Sequence, residues 1–298
     1  MIERTPILDA FTHLLLIFSL IALAFPLWVI FVAASHDFHT VNQVPMPLWP
    51  GTHFLENMAT AWERGNFDRV MLNSLIVAGG VTAGKIIVSA LSAFSIVYFN
   101  YRLRMVMFWL IFITLMLPLE VRIVPTYAVA TDVLRPFQSI FDLAGLSIEL
   151  PEWNLLNTYS GLILPLVATA TGTFLYRQFF LTVPDELAEA AKMDGAGAVR
   201  FFLEVLMPLS KANMAALATI MFVWSWNQYL WPLLVVTDQE HYATATMQLQ
   251  KIVPGPLFGE PPIWNVAMAA NLIVLAPPVI VTILLQRWFV RGLISTEK

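Results

Sequence analysis

Apolar residues dominate this chain in long, nearly uninterrupted runs. A helix needs about 20 mostly apolar residues to cross the hydrocarbon core of a bilayer. Six stretches meet this requirement, residues 12–34, 70–98, 104–126, 159–181, 211–236 and 266–290. The pattern predicts an all-α, polytopic membrane protein in which residues 1–298 form a single transmembrane domain with six transmembrane helices.

The first apolar run is predicted to be a retained span and not a cleaved leader. It is longer than the apolar region of a secretory signal, about 7–15 residues. It also continues through Pro26, Leu27 and Trp28 without a small-residue cleavage site. With six spans, both termini lie on the same side of the membrane.

Lysine and arginine residues between the spans predict which side that is. Cytoplasmic loops carry more of these residues than external loops do. With both termini inside, ten of them lie inside and four lie outside. The inner group is Arg4, Arg102, Arg104, Arg177, Lys192, Arg200, Lys211, Arg287, Arg291 and Lys298, and the outer group is Arg64, Arg69, Arg135 and Lys251. We therefore expect both the N-terminus and the C-terminus in the cytoplasm.

The external loops, residues 35–69, 127–158 and 237–265, are long and rich in proline, tryptophan and acidic residues. The segment Val253–Pro262 has the sequence VPGPLFGEPP, which is not expected to be helical. These loops are either solvated connectors or surfaces for a partner outside the membrane, and the sequence alone favours neither.

The composition further limits the class of protein and the binding partners that we expect. Charged residues make up 12% of the chain, whereas soluble domains carry about 25%. The formal net charge of −4 gives no reason to expect nucleic acid as a partner. The absence of cysteine excludes disulfides and thiolate metal sites. His36 and His39 lack the further ligands of a metal site, so we expect no metal or cofactor in this chain.

The most charged segment, residues 184–208, lies between the fourth and fifth apolar runs. Pro184 suits the first turn of a helix, and acidic residues follow it near the positive end of the helix dipole. Gly195 is predicted to end that helix and to let the chain turn. A second short helix is expected over 200–207, with Pro208 marking the beginning of the fifth span. We call residues 184–208 the elbow. Its small-residue face suits docking to another protein.

The elbow resembles the EAA loop of bacterial ABC importer permeases. That loop has the pattern E-A-A, three residues, G, nine residues, then I-x-L-P, and here Val205 and Met207 replace the isoleucine and the leucine. The segment Ser225–Leu234, SWNQYLWPLL, is similar to a signature of the carbohydrate-uptake branch. The segments LMLPLEVRIVPTY, RQFFLTVPDELAEAA and QRWFVRGL resemble permeases of sn-glycerol-3-phosphate importers within that branch.

This resemblance implies a function. The elbow corresponds to a coupling helix that docks on a cytoplasmic ATPase, and the coupling residues are Glu189, Ala190, Ala191, Asp194, Gly195 and Pro208. The implied partners are a homologous permease, two ATP-binding subunits that use ATP and Mg, an extracytoplasmic binding protein and the lipid of the bacterial inner membrane. The implied cargo is sn-glycerol-3-phosphate or a glycerophosphodiester, and a neutral sugar is the alternative.

Two groups of polar residues within the spans are candidates for the substrate pathway. The first is Lys85, Glu120 and Arg122, and the second is Trp226, Asn227, Gln228 and Tyr229. A lysine near the centre of a membrane helix costs about 2.5–3.5 kcal/mol, so Lys85 is expected to face protein or water. Bonds to neighbouring helices remain the alternative role for both groups.

The segment GGVTAGKI around Lys85 matches most of a phosphate-binding loop. It lacks the Ser/Thr that would hold magnesium and the strand that would precede it. We expect Gly80 and Gly84 instead to form a small face for close helix packing. A membrane-embedded enzyme would need a group of nucleophile, base or metal ligands in the spans, and the sequence offers none. A passive scaffold would not need the elbow.

Overall fold

A computed structural model describes residues 6–114, 117–253 and 263–294, without the side chains of Pro6, Leu119 and residues 289–294. The structure is 77% helical, with no strand among the described residues, which confirms the all-α fold. The helices before the elbow are α1 Pro6–Ser35, α2 Phe38–Val41, α3 Phe54–Arg64, α4 Phe67–Tyr98, α5 Arg104–Ile113, α6 Leu119–Thr131, α7 Arg135–Leu143, α8 Tyr159–Val167 and α9 Ala170–Phe180. From the elbow onward they are α10 Asp185–Met193, α11 Ala198–Phe201, α12 Met207–Leu209, α13 Lys211–Trp226, α14 Leu230–Val235, α15 Gln239–Tyr242, α16 Ala245–Ile252 and α17 Trp264–Ile294.

Three helices in the described part of the chain are long and apolar enough to cross a bilayer, within α1, α4 and α17. The number rises to five if each of two bent helix pairs counts as one span. The prediction of six spans therefore stays a prediction.

Three of the expected spans differ from single straight helices. Where residues 104–126 were expected to form one helix, α5 ends at Ile113 and α6 begins at Leu119. Over 159–181, α8 and α9 meet at an angle of 49°. Over 211–236, α13 ends at Trp226, and α14 follows only at Leu230. Hydropathy measures how apolar a segment is but carries no information about interruptions of this kind.

The chain divides into two compact units. One contains the described residues up to Asp68 together with Gln248–Ala276, and the other contains Arg69–Met247 and the described residues from Pro277 onward. The prediction of a single membrane domain stays a prediction. Residues 254–262 of the irregular external segment lie outside the described residues, as do Arg4 and Lys298.

In the first unit, a buried amide fixes the end of α1. The Asn57 side chain on α3 donates to the backbone carbonyls of Ala34 at 2.9 Å and His36 at 2.7 Å. Its oxygen accepts a hydrogen bond of 2.8 Å from the Asn265 amide. Most side chains of α1 before residue 29 are exposed although the helix is strongly apolar. Such a surface is suited to lipid rather than water.

Two apolar clusters lie among the described residues of the second unit. One surrounds the fully buried Trp231 of α14, which packs among residues such as Leu162 and Leu166 of α8 and Val77 and Val81 of α4. The second cluster joins the C-terminal part of α4 to α9 and the elbow, and its larger members include Phe94, Tyr176, Phe180, Phe201 and Phe202. Helix α4 therefore contributes to both clusters.

Candidate functional site

The elbow has the helix–glycine–helix geometry that its sequence predicts. Pro184 precedes α10, and the helix ends at Met193 with Asp194 as its C-cap. Gly195 then adopts φ +73°, a conformation that residues with a side chain rarely take. The backbone N–H of Ala196 closes the turn with a 2.8 Å bond to the carbonyl of Ala191.

Aromatic packing attaches the elbow to α4. After α11 the chain forms one π-helical turn, Phe202–Leu206. The ring centroids of Phe202 and Phe94 are 4.9 Å apart. Those of Phe201 and Tyr98 are 5.3 Å apart. Elbow and α4 are thus joined by buried rings, so a displacement of one is resisted by the packing of the other.

The two faces of α10 differ. Ala188 and Ala191 turn inward and pack against the aromatic cluster of α4 and the elbow. Glu189 and Asp194 are exposed, and Met193 is 84% exposed. Ala191 is predicted to be a coupling residue and is partly buried on the inward side, and its part in docking remains a prediction.

Pro208 lies in the short helix α12. The chain bends by 75° immediately afterwards, at Ser210, before α13 begins. The proline thus marks the boundary between the elbow and the fifth apolar run.

The close packing expected around Lys85 is present. A Cβ atom added to Gly80 would lie 2.7 Å from Cδ1 of Ile163, and one added to Gly84 would lie 2.6 Å from Cγ2 of Val167. Both distances are too short for real atoms, so α4 approaches α8 closely because these positions are glycines. This confirms the packing role of the two glycines and shows that the segment is helical rather than a phosphate-binding loop.

Lys85 follows directly after this contact and faces a cavity lined by both polar and apolar side chains. The cavity has a volume of about 320 Å³ and lies at the breaks between α5 and α6 and between α8 and α9. Lys85 and Arg122 both line it, together with Trp224 of α13. We call it the Lys85–Arg122 cavity. The structure thus brings together two of the three charged pathway candidates.

The cations of this cavity lack the usual partners. Lys85 is only 4% exposed, and its ammonium lies over the ring of Trp224, 3.7 Å from the centroid. Nε of Arg122 is buried without a hydrogen-bond partner. No carboxylate is among the described residues that line the cavity. Its positive charge is therefore not neutralised by any described residue of the lining.

A helix N-terminus adds to this positive field. Helix α9 begins at Ala170, and its N-cap residue Thr169 makes no side-chain capping bond. Thr169, Ala170 and Thr171 all line the cavity. The first N–H groups of a helix have no partner within the helix and carry a partial positive charge.

The remaining pathway candidates lie elsewhere. Glu120 is exposed and does not line the Lys85–Arg122 cavity. Trp226 is 2% exposed and stacks on Phe222 with a centroid distance of 5.8 Å. The carbonyl of Gln228 accepts a 2.8 Å bond from Thr246.

Asn227 and Tyr229 are exposed beside Gln228, at the break between α13 and α14. None of residues 226–229 lines the cavity. Their part in a substrate pathway remains a prediction.

Sequence reasoning missed Trp224 as a partner of Lys85 and the cavity lining at Thr169–Thr171. A signal for the second was present. The segment VATATGTF places threonine and glycine in the middle of an otherwise apolar run. Small and hydroxylated residues at such a place accompany helix breaks whose backbone groups must be satisfied within the protein.

Comparison with known proteins gives a consistent picture. Residues 85–295 match the family described as binding-protein-dependent transport system inner membrane component. The chain is 48% identical to the "sn-glycerol-3-phosphate transport system permease protein UgpE" of Yersinia pestis bv. Antiqua (strain Antiqua), with 100% of both chains covered. The protein of the same name from Escherichia coli O157:H7 is 47% identical, again with 100% of both covered.

A solved structure shares the fold. It is described as the crystal structure of a bacterial ABC transporter involved in the import of the acidic polysaccharide alginate. The TM-score is 0.76 at 18% identity, and the match covers 97% of this chain and 100% of that chain. At this identity the likeness concerns the fold alone.

Proposed function

Since the chain belongs to the binding-protein-dependent transport system inner membrane components, we propose that it is a permease subunit of an ATP-driven importer for sn-glycerol-3-phosphate or a glycerophosphodiester. Full-length similarity to permeases named for glycerol-phosphate transport supports this cargo. The chain is a multi-pass protein of the inner membrane, and its relatives are transport permeases rather than enzymes.

The elbow is the observation that carries the coupling role. It presents exposed acidic residues beside the exposed Met193 and Val199 on one side. On the other side it is fixed to α4 by buried aromatic rings. A surface of this kind can bind a cleft of a cytoplasmic ATPase and transmit its movement to the spans. ATP and Mg are then used by two partner ATP-binding subunits, and not by this chain.

The complete importer also contains a homologous second permease and an extracytoplasmic binding protein that delivers the cargo. Both termini of this chain lie in the cytoplasm, on the side of the ATPase. Helix α4 runs from the Lys85–Arg122 cavity to the elbow, since Lys85 and Phe94 lie on the same helix. This continuity supports a direct mechanical link between the cavity and the ATPase.

The test is an ATPase measurement on the reconstituted complex with its binding protein and a panel of cargo molecules. We expect ATP hydrolysis and uptake to be stimulated by the binding protein loaded with sn-glycerol-3-phosphate or a glycerophosphodiester, and not by maltose. Stimulation by a neutral sugar alone would assign the subunit to a neutral-sugar importer. ATP hydrolysis without uptake of any of these compounds would contradict the proposed transport role.

A charge reversal on the elbow tests docking separately. Glu189→Lys should prevent copurification of the ATP-binding subunits while leaving the permease in the membrane, because Glu189 is an exposed side chain. Glu152→Lys, at an exposed position of the predicted external loop, is the matched control and should change nothing. Equal recovery of ATPase with both variants would place the docking surface elsewhere.

A further inference from the structure

We propose that the Lys85–Arg122 cavity is the binding subsite for the phosphate group of the cargo, so that this subunit itself contacts the transported molecule. The proposal rests on the function proposed above and adds a location, a binding chemistry and a reason for selectivity. Its central observation is that two cations share a cavity without an anion among the described residues.

The charge of the cavity favours an anionic ligand. An arginine remains protonated in proteins, and a buried ammonium is costly unless it is paired. Lys85 has the face of Trp224 as its contact but no hydrogen-bond acceptor in the described part of the chain. Nε of Arg122 also has no acceptor there. A phosphate monoester carries about −1.5 to −2 charges near neutral pH. Such an anion would therefore neutralise the positive charges of Lys85 and Arg122 in the cavity.

The arrangement of hydrogen-bond donors around the cavity suits a phosphate group. The planar guanidinium of Arg122 can donate two parallel bonds to phosphate oxygens, and Lys85 can act as a point charge. The α9 N-terminus lines the same cavity at Ala170 and Thr171 without a side-chain cap. Backbone N–H groups at such an N-terminus bind phosphate well. Side-chain and backbone hydrogen-bond donors thus line the same cavity.

The size of the cavity and its apolar walls suit a small ester. The volume of about 320 Å³ lies at the lower end of small-molecule pockets, which span about 300–1,000 Å³. Ile220, Met221 and Leu117 supply apolar walls that can cover a short carbon chain.

Neutral sugars are recognised through hydroxyl groups, which need acceptors such as carboxylates or side-chain amides. The described lining contains neither of these groups. The cavity therefore favours a small phosphate ester over a neutral sugar.

The experiment measures binding of radiolabelled sn-glycerol-3-phosphate to the purified, assembled importer in nanodiscs without its binding protein. We expect saturable binding to the wild-type complex. Lys85→Met and Arg122→Gln should each weaken it roughly tenfold or more, because each removes one charge-assisted bond. Arg122→Lys should recover only part of the affinity, since lysine keeps the charge but loses the two-pronged geometry.

Arg135→Gln is the matched control. It removes an exposed cation from the predicted external loop and should leave binding unchanged. Two variants at separate positions, on α4 and α6, keep the test usable if one of them assembles poorly. Copurification of the second permease and the ATP-binding subunits, together with basal ATP hydrolysis, reports whether each variant complex is assembled.

The outcomes separate the two proposals. If an assembled Lys85→Met, Arg122→Gln double variant binds and imports sn-glycerol-3-phosphate like the wild type, the subsite is refuted while the importer function stands. If the wild-type complex binds the ester through both cations but imports only other compounds, the subsite is supported while the proposed cargo is refuted. Absence of saturable binding to the assembled wild type would also overturn the subsite.

Discussion

The ammonium group of Lys85 lies 3.7 Å from the centroid of the Trp224 ring and connects α4 to α13. An aromatic face attracts a cation electrostatically, by about 0.5–2 kcal/mol. The contact holds a charged side chain in a defined position inside a membrane protein. It also leaves the donors of the ammonium group available to an incoming anion.

Replacing Trp224 should show how much its contact with Lys85 contributes to the stability of the permease. We expect Trp224→Leu to destabilise the permease by about 0.5–2 kcal/mol more in the wild-type background than in a Lys85→Met background. Trp224→Phe should lose less, because it keeps an aromatic face. Thermal unfolding of the four variants of each double-mutant cycle gives the coupling. Equal losses in both backgrounds would mean that Trp224 contributes by packing alone.

Helix α4 should tolerate alanine at one glycine and not at another. Gly84→Ala places a Cβ atom 2.6 Å from Cγ2 of Val167, a stiff β-branched side chain. Overpacking of this kind costs about 1–3 kcal/mol. Gly79→Ala meets nothing within 4 Å and should be neutral or slightly stabilising, since alanine favours the helix by about 1 kcal/mol.

Thermal unfolding in detergent is the measurement for this pair of variants. If Gly84→Ala were as stable as Gly79→Ala, α4 and α8 would be farther apart than the structure places them.

The turn at Gly195 should be specific for glycine. Its φ of +73° costs other residues about 1–2 kcal/mol, and proline is restricted to φ near −65°. Gly195→Pro also removes the N–H that bonds to the Lys192 carbonyl at 3.0 Å. We expect it to abolish ATP-driven uptake without loss of the permease from the membrane, because the elbow no longer presents its docking face.

Gly197→Ala is the matched control for the turn. Gly197 has φ −71° and open space around it, so uptake should be unaffected. Wild-type uptake by Gly195→Pro would rule out the coupling role of the turn.

Cysteine labelling should establish the orientation in the membrane. The native chain has no cysteine, so single substitutions can be labelled without background. Glu63→Cys, Glu152→Cys and Gln250→Cys, all at exposed positions, should react with an impermeant thiol reagent applied to intact cells. Ala198→Cys, exposed at the start of α11, should react only after the membrane is opened. The reverse pattern would place the elbow outside and exclude docking to a cytoplasmic ATPase.

The sequence by itself determined the features that depend on local chemistry. Runs of apolar residues indicated membrane helices because insertion depends on the summed hydrophobicity of one segment. The elbow was recognisable because Pro184 fixes a backbone angle suited to the start of a helix, whereas Gly195 permits the left-handed conformation that ends one. Gly80 and Gly84 indicated close packing because glycine has no side chain to keep a neighbouring helix away. They did not indicate which helix would lie against them.

Only the tertiary structure decided which distant residues meet. Lys85, Arg122 and Trp224 come from three helices, and no periodicity relates them. Helix α5 ends at Ile113 and α8 ends at Val167, and the cavity lies beside these two helix ends, although each falls within a segment that hydropathy alone marks as one continuous span. Asn227 and Gln228 are polar residues within an apolar run, as Lys85 is, yet neither of them lines the cavity. A polar residue within an apolar span indicates that its side chain needs a partner inside the protein. Which partner it contacts depends on how the other helices pack around it.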